Sequence, residues 1–201
     1  MLETTIPLTE SVLALAGRRN DALADWFPIG DSVSPLRVCL EDPQDDSLTA
    51  ALLVHDADLR LNNGDEVPLD ERLLAAGGVD VDGREEALPA TALVMPRIPR
   101  GAVTAMAGSR TSPISAAARL SRNGDAAFIL VGIAPHPLRA RQIESLVRGR
   151  SLDDRIIDLA AQTARSEAQP YGVGDVLDAA KLASVEDCIR RLLNLLRDRL
   201  E

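Results

Sequence analysis

An apolar run, a double-proline turn and a helical pattern follow one another between Ala126 and Gly149, and this order constrains the fold most. Residues Ala126 to Ile133 are typical of a buried strand, and Pro135 and Pro137 make the turn after it rigid. Beyond the turn, the apolar residues repeat with a period of about 3.6 instead of two. The stretch therefore predicts a strand that turns sharply into a helix.

The rest of the C-terminal half continues this pattern of strands followed by helices. Asn123-Gly124 is a hairpin signal between two of the strands, and Ser151 is the expected N-cap of a helix that starts at Leu152. Strands are predicted at about Leu88–Ile98, Ala102–Ala107, Ile114–Ser121 and Ala126–Ile133, and helices at Leu138–Val147, Leu152–Ser166 and Ser184–Leu200.

The N-terminal half has shorter elements separated by polar turns. They are helices at Leu8–Leu15 and Leu48–Leu53, strands at Leu36–Leu40 and Asp58–Leu61, and a hairpin at Asn63-Gly64. Because residues 79–86 are polar and rich in Gly and Asp, we expect two domains, 1–82 and 83–201. The predicted fold class is α+β, with a small mixed α/β half-domain followed by an antiparallel three- to four-stranded sheet covered by three helices.

Composition excludes several classes of function. The net charge is -9 and only four residues are aromatic (Trp 1, Tyr 1, Phe 2), so we expect no nucleic-acid binding. Cys39 and Cys188 belong to no C-x-x-C pair, and His55 and His136 lack metal-ligand spacing, so no metal site is predicted. Both histidines are expected on the surface or in turns, and Cys188 in the core. No leader or membrane span is apparent, which favours the cytoplasm.

Five segments occur in the order and spacing of one known family. The segments are Arg19-Asn20 with Ile29-Gly30-Asp31-Ser32, Leu52 to Leu59 with Gly64 and Val67-Pro68-Leu69, Arg110 to Leu120, Gly132 to Gly149, and Ser151-Leu152-Asp153. In these segments the chain resembles the FAD-binding (medium) subunit of the molybdenum hydroxylases, the carbon monoxide dehydrogenase and xanthine dehydrogenase type, and the similarity covers nearly its whole length.

The resemblance implies a cofactor, partners and site residues. It implies a component of a molybdopterin-dependent dehydrogenase complex that takes part in FAD-linked electron transfer beside an iron-sulfur subunit and a molybdenum-cofactor subunit. The positions that would bind FAD are Ile29, Gly30, Ser32 and Ser47. It implies no catalytic residue in this chain, because substrate chemistry in the family takes place at molybdenum in another subunit and the flavin carries the electrons.

Two departures from the family pattern favour an alternative function. The family has a second glycine where this chain has Asp31, whose carboxylate would repel a phosphate group. The first FAD subdomain, which carries the main pyrophosphate loop, is expected to be missing, so a further chain would have to supply it. Domain 1–82 then corresponds to a remnant of the second FAD subdomain and 83–201 to the flavoprotein C-terminal domain. The alternative is a scaffold or assembly protein that has lost FAD, and a homodimer stays open.

A remote alternative comes from Gly30-Asp31-Ser32, which resembles the nucleophile block of GDSL-type hydrolases. That family requires a late D-x-x-H motif to supply the base, but Ile133 stands where the aspartate before His136 would be. Ser32 therefore lacks an evident activating base, and a turn serine is the favoured interpretation.

Overall fold

The computed structural model describes residues 4–7, 46–71, 90–95, 101–108, 114–134, 137–168 and 179–201. The chain forms two compact units, Met1–Arg97 and Ile98–Glu201. Both units combine helices with antiparallel sheet, which confirms the predicted α+β class. The predicted helix at 8–15 and strand at 36–40 lie outside the described residues.

The first unit contains a four-stranded antiparallel sheet and a helix. Its strands have the order β1-β4-β2-β3 and pair antiparallel throughout. Leu52 of the helix and Leu59 and Leu93 of the sheet are fully buried, and they form part of its core. The elements are β1 Thr4–Pro7, α1 Asp46–Val54, β2 Asp58–Leu61, β3 Glu66–Pro68 and β4 Ala90–Met95.

The position of β4 corrects one prediction. We expected the strand at Leu88–Ile98 to open the C-terminal sheet, whereas β4 pairs with β1 and β2 in the first unit, with Leu93 opposite both Ile6 and Leu59. An apolar run shows that a strand is buried but not which sheet completes its hydrogen bonds. The assignment of 1–82 to the second FAD subdomain and of 83–201 to the flavoprotein C-terminal domain stays a prediction.

The second unit contains the sheet β5-β6-β7-β8, whose neighbouring strands are all antiparallel. Three helices pack on one face, and the core between them includes Ala118, Phe128 and Leu193. On the opposite face Ala117 and Ile129 are also fully buried. The elements are β5 Ala102–Ala107, β6 Ser115–Ser121, β7 Ala126–Val131, β8 Leu138–Arg139, α2 Arg141–Val147, α3 Asp154–Ala168 and α4 Ala179–Leu200.

Both predicted Asn-Gly hairpins are confirmed, and they share one geometry. In each, the residue before the loop donates a backbone hydrogen bond across it: Leu61 to Asp65 over 2.8 Å, and Ser121 to Asp125 over 2.9 Å. Gly64 and Gly124 have φ of 92° and 87°. These are three-residue loops in which a glycine takes the left-handed position, so Asn-Gly marks the last two loop residues.

The helix boundaries differ from prediction at two places. Leu138 and Arg139, predicted as the first turn of a helix, instead pair with Leu130 and Ile129 as β8, because β7 has an open edge there. The helix predicted from Leu152 begins at Asp154, and Asp153 rather than Ser151 accepts the N–H of Ile156 over 2.8 Å. A carboxylate near a helix N-terminus also interacts favourably with the helix dipole.

Candidate functional site

Only one of the four predicted FAD-binding positions lies in the described part of the chain. Ser47 is the second residue of α1, whereas Ile29, Gly30 and Ser32 lie outside the described residues. The first turn of a helix exposes unpaired backbone N–H groups, so a polar ligand can be bound there. The placement of Ser47 is compatible with the predicted role, which stays a prediction for all four residues.

The family segment after Ser47 forms the cap at the C-terminus of α1. The N–H of Ala57 donates to the carbonyl of Leu52 over 3.1 Å, and the N–H of Asp56 donates to that of Leu53 over 3.0 Å. Asp56 has a φ of 50°, the left-handed conformation that this cap requires. Asp tolerates this conformation better than most residues, so Asp56-Ala57 of the family segment has a structural role.

His55 lies in a turn, which is one of the two places predicted for the histidines. It immediately follows α1 and is not on the surface, because its side chain is only 1% exposed. It occupies a position next to the helix cap, where the chain turns back into the unit. His136 lies outside the described residues.

The segment from Gly132 to Gly149 folds as a strand, a turn and a helix, as predicted, with the short strand β8 between turn and helix. Gly132 leaves β7 with a φ of 84°, and Ala140 donates its N–H to the carbonyl of Phe128 over 2.8 Å. Helix α2 follows directly at Arg141. After the turn, the chain therefore pairs with β7 as β8 before α2 begins.

A buried carboxylate holds this corner together. Oε1 of Glu144 accepts the backbone N–H of Phe128 over 3.1 Å and the Nε–H of Arg139 over 2.8 Å. The Glu144 side chain is 7% exposed and that of Arg139 is 20% exposed. Because Glu144 is on α2, Arg139 on β8 and Phe128 on β7, one carboxylate connects three consecutive elements. Arg139 and Glu144 of the family segment Gly132–Gly149 are thus a structural pair.

A second glutamate caps α2 from another helix. Ala140, before the first turn of α2, provides no side-chain cap, and Gln142 donates its N–H to both carboxylate oxygens of Glu167, over 3.2 and 3.3 Å. Burial raises the pKa of Glu167 above its ordinary value of 4.5, although hydrogen bonds from backbone N–H groups of α2 offset part of the effect. Sequence reasoning missed this residue, because a cap supplied from a distant helix has no local pattern.

The raised pKa of Glu167 predicts a pH-dependent effect of Glu167→Gln. Burial disfavours the ionised carboxylate in the folded chain, so the pKa of Glu167 is higher in the folded than in the unfolded chain. The stability that the Glu167 side chain contributes is therefore complete below the unfolded pKa and is lost as the pH rises through the folded pKa. Gln stays neutral and keeps an oxygen acceptor for the α2 N–H groups. We expect the free energy of unfolding of the variant, relative to wild type, to increase between about pH 4 and about pH 7 in urea titrations. A difference that is constant or shrinks over this range contradicts the prediction.

Cys188 lies in the core, as predicted. It is 1% exposed, and its thiol donates a hydrogen bond to the carbonyl of Ala107 over 3.4 Å. Burial raises the pKa of the thiol to about 11, so the reactive thiolate is scarce at neutral pH. Its role is to fill the space between α4 and β5.

Neither a candidate metal cluster nor a candidate membrane span occurs in the described part of the chain. No group of three or more His, Cys, Asp or Glu side chains lies close enough together there to hold a metal ion. None of the helices in the same ranges combines the length and the apolar character that crossing a membrane requires.

Comparisons with known proteins agree with this geometry. Residues 102–193 match the family model of the CO dehydrogenase flavoprotein C-terminal domain. That range begins with β5 and ends within α4, so it spans the sheet and helices of the second unit. A comparison with curated proteins finds no match.

Solved structures of similar fold cover nearly the whole chain. Carbon monoxide dehydrogenase from Hydrogenophaga pseudoflava, in a form which lacks the Mo-pyranopterin moiety of the molybdenum cofactor, aligns with a TM-score of 0.73 at 19% identity over 98% of this chain and 76% of that chain. Reconstituted CO dehydrogenase from Oligotropha carboxidovorans aligns at 0.68 and 20%, over 98% and 76%. Quinoline 2-oxidoreductase from Pseudomonas putida 86 aligns at 0.64 and 13%, over 98% and 75%.

Identities this low establish the fold, and the family model establishes the relationship of the second unit. The match at 102–193 and the similar fold together confirm the predicted resemblance to the FAD-binding subunit of the molybdenum hydroxylases. The chain is therefore similar in fold to CO dehydrogenase over nearly its whole length, and its residues 102–193 match the CO dehydrogenase flavoprotein C-terminal domain.

Proposed function

We propose that this chain is the flavoprotein-like component of a molybdopterin-dependent dehydrogenase complex. The observation that carries the proposal is the CO dehydrogenase flavoprotein C-terminal domain at 102–193, in a chain whose fold aligns with CO dehydrogenase over 98% of its length. The partners we propose are a molybdenum-cofactor subunit, because similar structures are CO dehydrogenases described with a molybdenum cofactor, and an iron-sulfur subunit, which the family resemblance implies.

The buried charged groups of the second unit support a role as a structural component of such a complex. Arg119 donates two hydrogen bonds to Asp125, over 3.0 and 3.3 Å, and Glu144 binds Arg139. The first pair joins β6 to the hairpin loop before β7, and the second joins β8 to α2. These groups therefore stabilise the fold, and we propose that the substrate reacts in the molybdenum subunit.

FAD binding by this chain is the finer part of the proposal. When bound, the flavin would supply the electron-carrying chemistry. Among the described residues only Ser47 belongs to the proposed donor set, and a single hydroxyl does not make a site for a dinucleotide. Thr49, also on α1, has a buried hydroxyl with no hydrogen-bond partner within the described ranges, but it is not one of the proposed FAD positions. The described residues therefore do not form a FAD site by themselves.

The alternative function is a scaffold or assembly component of the same complex that has lost FAD. Asp31 favours it, because the family's second glycine allows a close backbone approach to the cofactor and an aspartate does not. Both functions place the chain in the same complex, and they differ only in cofactor content.

A flavin titration of three forms of the chain distinguishes these functions. We expect the purified wild-type chain to bind FAD weakly, and Asp31→Gly to bind it at least about tenfold more tightly, because a repulsive charge and a Cβ are both removed. Asp31→Asn removes the charge alone and should fall between them. Absorbance of bound flavin after desalting gives the stoichiometry. A full complement of flavin in wild type contradicts the scaffold alternative, and equal binding by all three forms contradicts the role of Asp31.

Co-purification tests the proposed complex itself. The tagged chain, isolated from its own cells at low salt, should bring down an iron-sulfur protein and a molybdenum-containing protein in fixed proportion. Metal analysis of the eluate and mass spectrometry of its bands provide the measurement. An eluate that holds the chain alone, after mild cross-linking in the cells, would overturn the assignment to a dehydrogenase complex whatever the result of the flavin titration.

A further inference from the structure

An open cleft in the second unit combines cationic and apolar walls. It has a volume of about 380 Å³ and lies between the end of β6, the end of α2 with the loop after it, and the C-terminal end of α4. Arg122, Arg150 and Arg197 line it together with Ser151 and the acidic residue Glu201. Leucine side chains, including Leu152 and Leu200, complete the wall.

The three guanidinium groups differ in how far they are already neutralised. Arg197 forms an ion pair with Asp154 over 2.8 Å and a hydrogen bond with Asn194. Arg122 donates one hydrogen bond to the carbonyl of Leu200. No ion pair or side-chain hydrogen bond of Arg150 occurs among the described residues. Arg150 and the remaining N–H groups of Arg122 are therefore available to an anion.

The chemistry of the wall indicates what kind of anion fits. Guanidinium groups bind carboxylate and phosphate oxygens through charge-assisted hydrogen bonds, often two at a time. The leucine side chains of the same wall favour a ligand that also has an apolar part. Because the chain has a net charge of -9, its overall field does not attract an anion. The attraction must therefore come from the cationic groups of the cleft itself.

We propose that this cleft binds a small amphipathic oxyanion, a carboxylate or phosphate monoester with a short apolar body. Arg150 and Arg122 bind the oxyanion, Ser151 donates its hydroxyl, and Leu152 and Leu200 contact the apolar part. The Glu201 carboxylate opposes binding and limits the affinity. This site is separate from the FAD positions proposed above, and its test does not depend on them.

Calorimetric titration of the full chain with butyl phosphate, butyrate and inorganic phosphate tests the proposal. At least one of the two organic anions should bind saturably with one site, and more tightly than inorganic phosphate. Which of them binds more tightly identifies the class of ligand. Arg150→Gln should weaken that binding about tenfold, the effect of one charge-assisted contact. Glu201→Gln should strengthen it, because the opposing charge is removed.

Arg155→Gln is the matched control. Arg155 is exposed on α3 and outside the cleft, so the substitution makes the same change of charge in the same unit and should leave the affinity unchanged. If Arg155→Gln and Arg150→Gln weaken binding equally, the proposal is overturned, because the effect then comes from the net charge of the unit and not from a contact in the cleft. The proposal also fails if neither organic anion binds, if inorganic phosphate binds as tightly as they do, or if Glu201→Gln does not strengthen binding.

Discussion

Glu144→Ala is expected to lower the free energy of unfolding of the C-terminal unit by about 3–5 kcal/mol, the range for removing one partner of a buried ion pair. The substitution leaves the N–H of Phe128 without its acceptor and takes from Arg139 a carboxylate that lies 2.8 Å away. Both losses occur at the junction of β7, β8 and α2. Glu144→Gln keeps an oxygen for the Phe128 N–H, so it should recover part of the stability.

Urea denaturation followed by circular dichroism measures the loss, and hydrogen exchange locates it. The Phe128 amide should lose its protection in Glu144→Ala and keep part of it in Glu144→Gln. Asp158→Ala is the matched control, because Asp158 also binds an arginine over 3.0 Å but is 61% exposed. An exposed pair contributes about 1 kcal/mol or less. Similar losses for Glu144→Ala and Asp158→Ala would contradict the importance of the buried pair.

Gly108→Ala is expected to destabilise the same unit by about 3 kcal/mol, which combines left-handed backbone strain with overpacking. Gly108 directly follows β5 and has a φ of 99°, and a Cβ there would lie 2.7 Å from Cβ and 2.9 Å from Cα of Ser115. One of these atoms is backbone, so no rotation of a side chain relieves the overlap. We expect the start of β6 to shift and its pairing with β5 to weaken.

Gly101 separates the two causes. It has a φ of 76°, and a Cβ at this position would meet nothing within 4 Å. Gly101→Ala therefore reports the backbone strain alone, for which we expect about 1 kcal/mol. Urea denaturation of the two variants side by side is the measurement. If Gly108→Ala costs no more than Gly101→Ala, the close approach of Ser115 does not constrain the sheet.

Local signals predicted the elements whose hydrogen bonds are satisfied nearby. The Asn63-Gly64 and Asn123-Gly124 loops form hairpins because a glycine at the left-handed position satisfies the turn whatever surrounds it. The strand Ala102–Ala107 also has the predicted bounds, and its hydrogen-bonding partner is the next strand along the chain, β6. Helix α4 was recognised by its apolar stripe, although it begins five residues earlier, at Ala179. Helix ends depend on capping and fray easily, so their limits are less predictable than their existence.

Distant partners decided the elements that sequence reasoning misplaced. Leu138 and Arg139 form a strand because the edge of β7 accepts them, and β4 joins the first unit because β1 and β2 flank it. His55 lies in a turn, as one of its two predicted places, but it is buried there after the end of α1. The pairing of β4 in particular depends on strands that lie far away in the chain.

The candidate site shows the same division. Co-linear segments predicted the family, which the match at 102–193 confirms, because motif order survives when individual contacts change. The sequence did not predict the ion pair of Arg139 and Glu144 within the Gly132–Gly149 segment, since the two side chains meet only after β8 pairs with β7. The cleft lined by Arg122, Arg150 and Arg197 is formed by three separated stretches of the chain, so no sequence pattern predicts it.

The sequence by itself determined the fold class, the two hairpins, the strand-turn-helix segment and the resemblance to the flavoprotein family, because these depend on local hydrogen bonding, periodicity and the order of motifs. The tertiary structure alone decided which sheet each strand joins, which side chains cap α2 and which carboxylate is buried at the corner. Those outcomes depend on groups brought together from distant parts of the chain, such as Glu167 on the N-terminus of α2 and Glu144 on Phe128. A pattern read along one segment does not contain them.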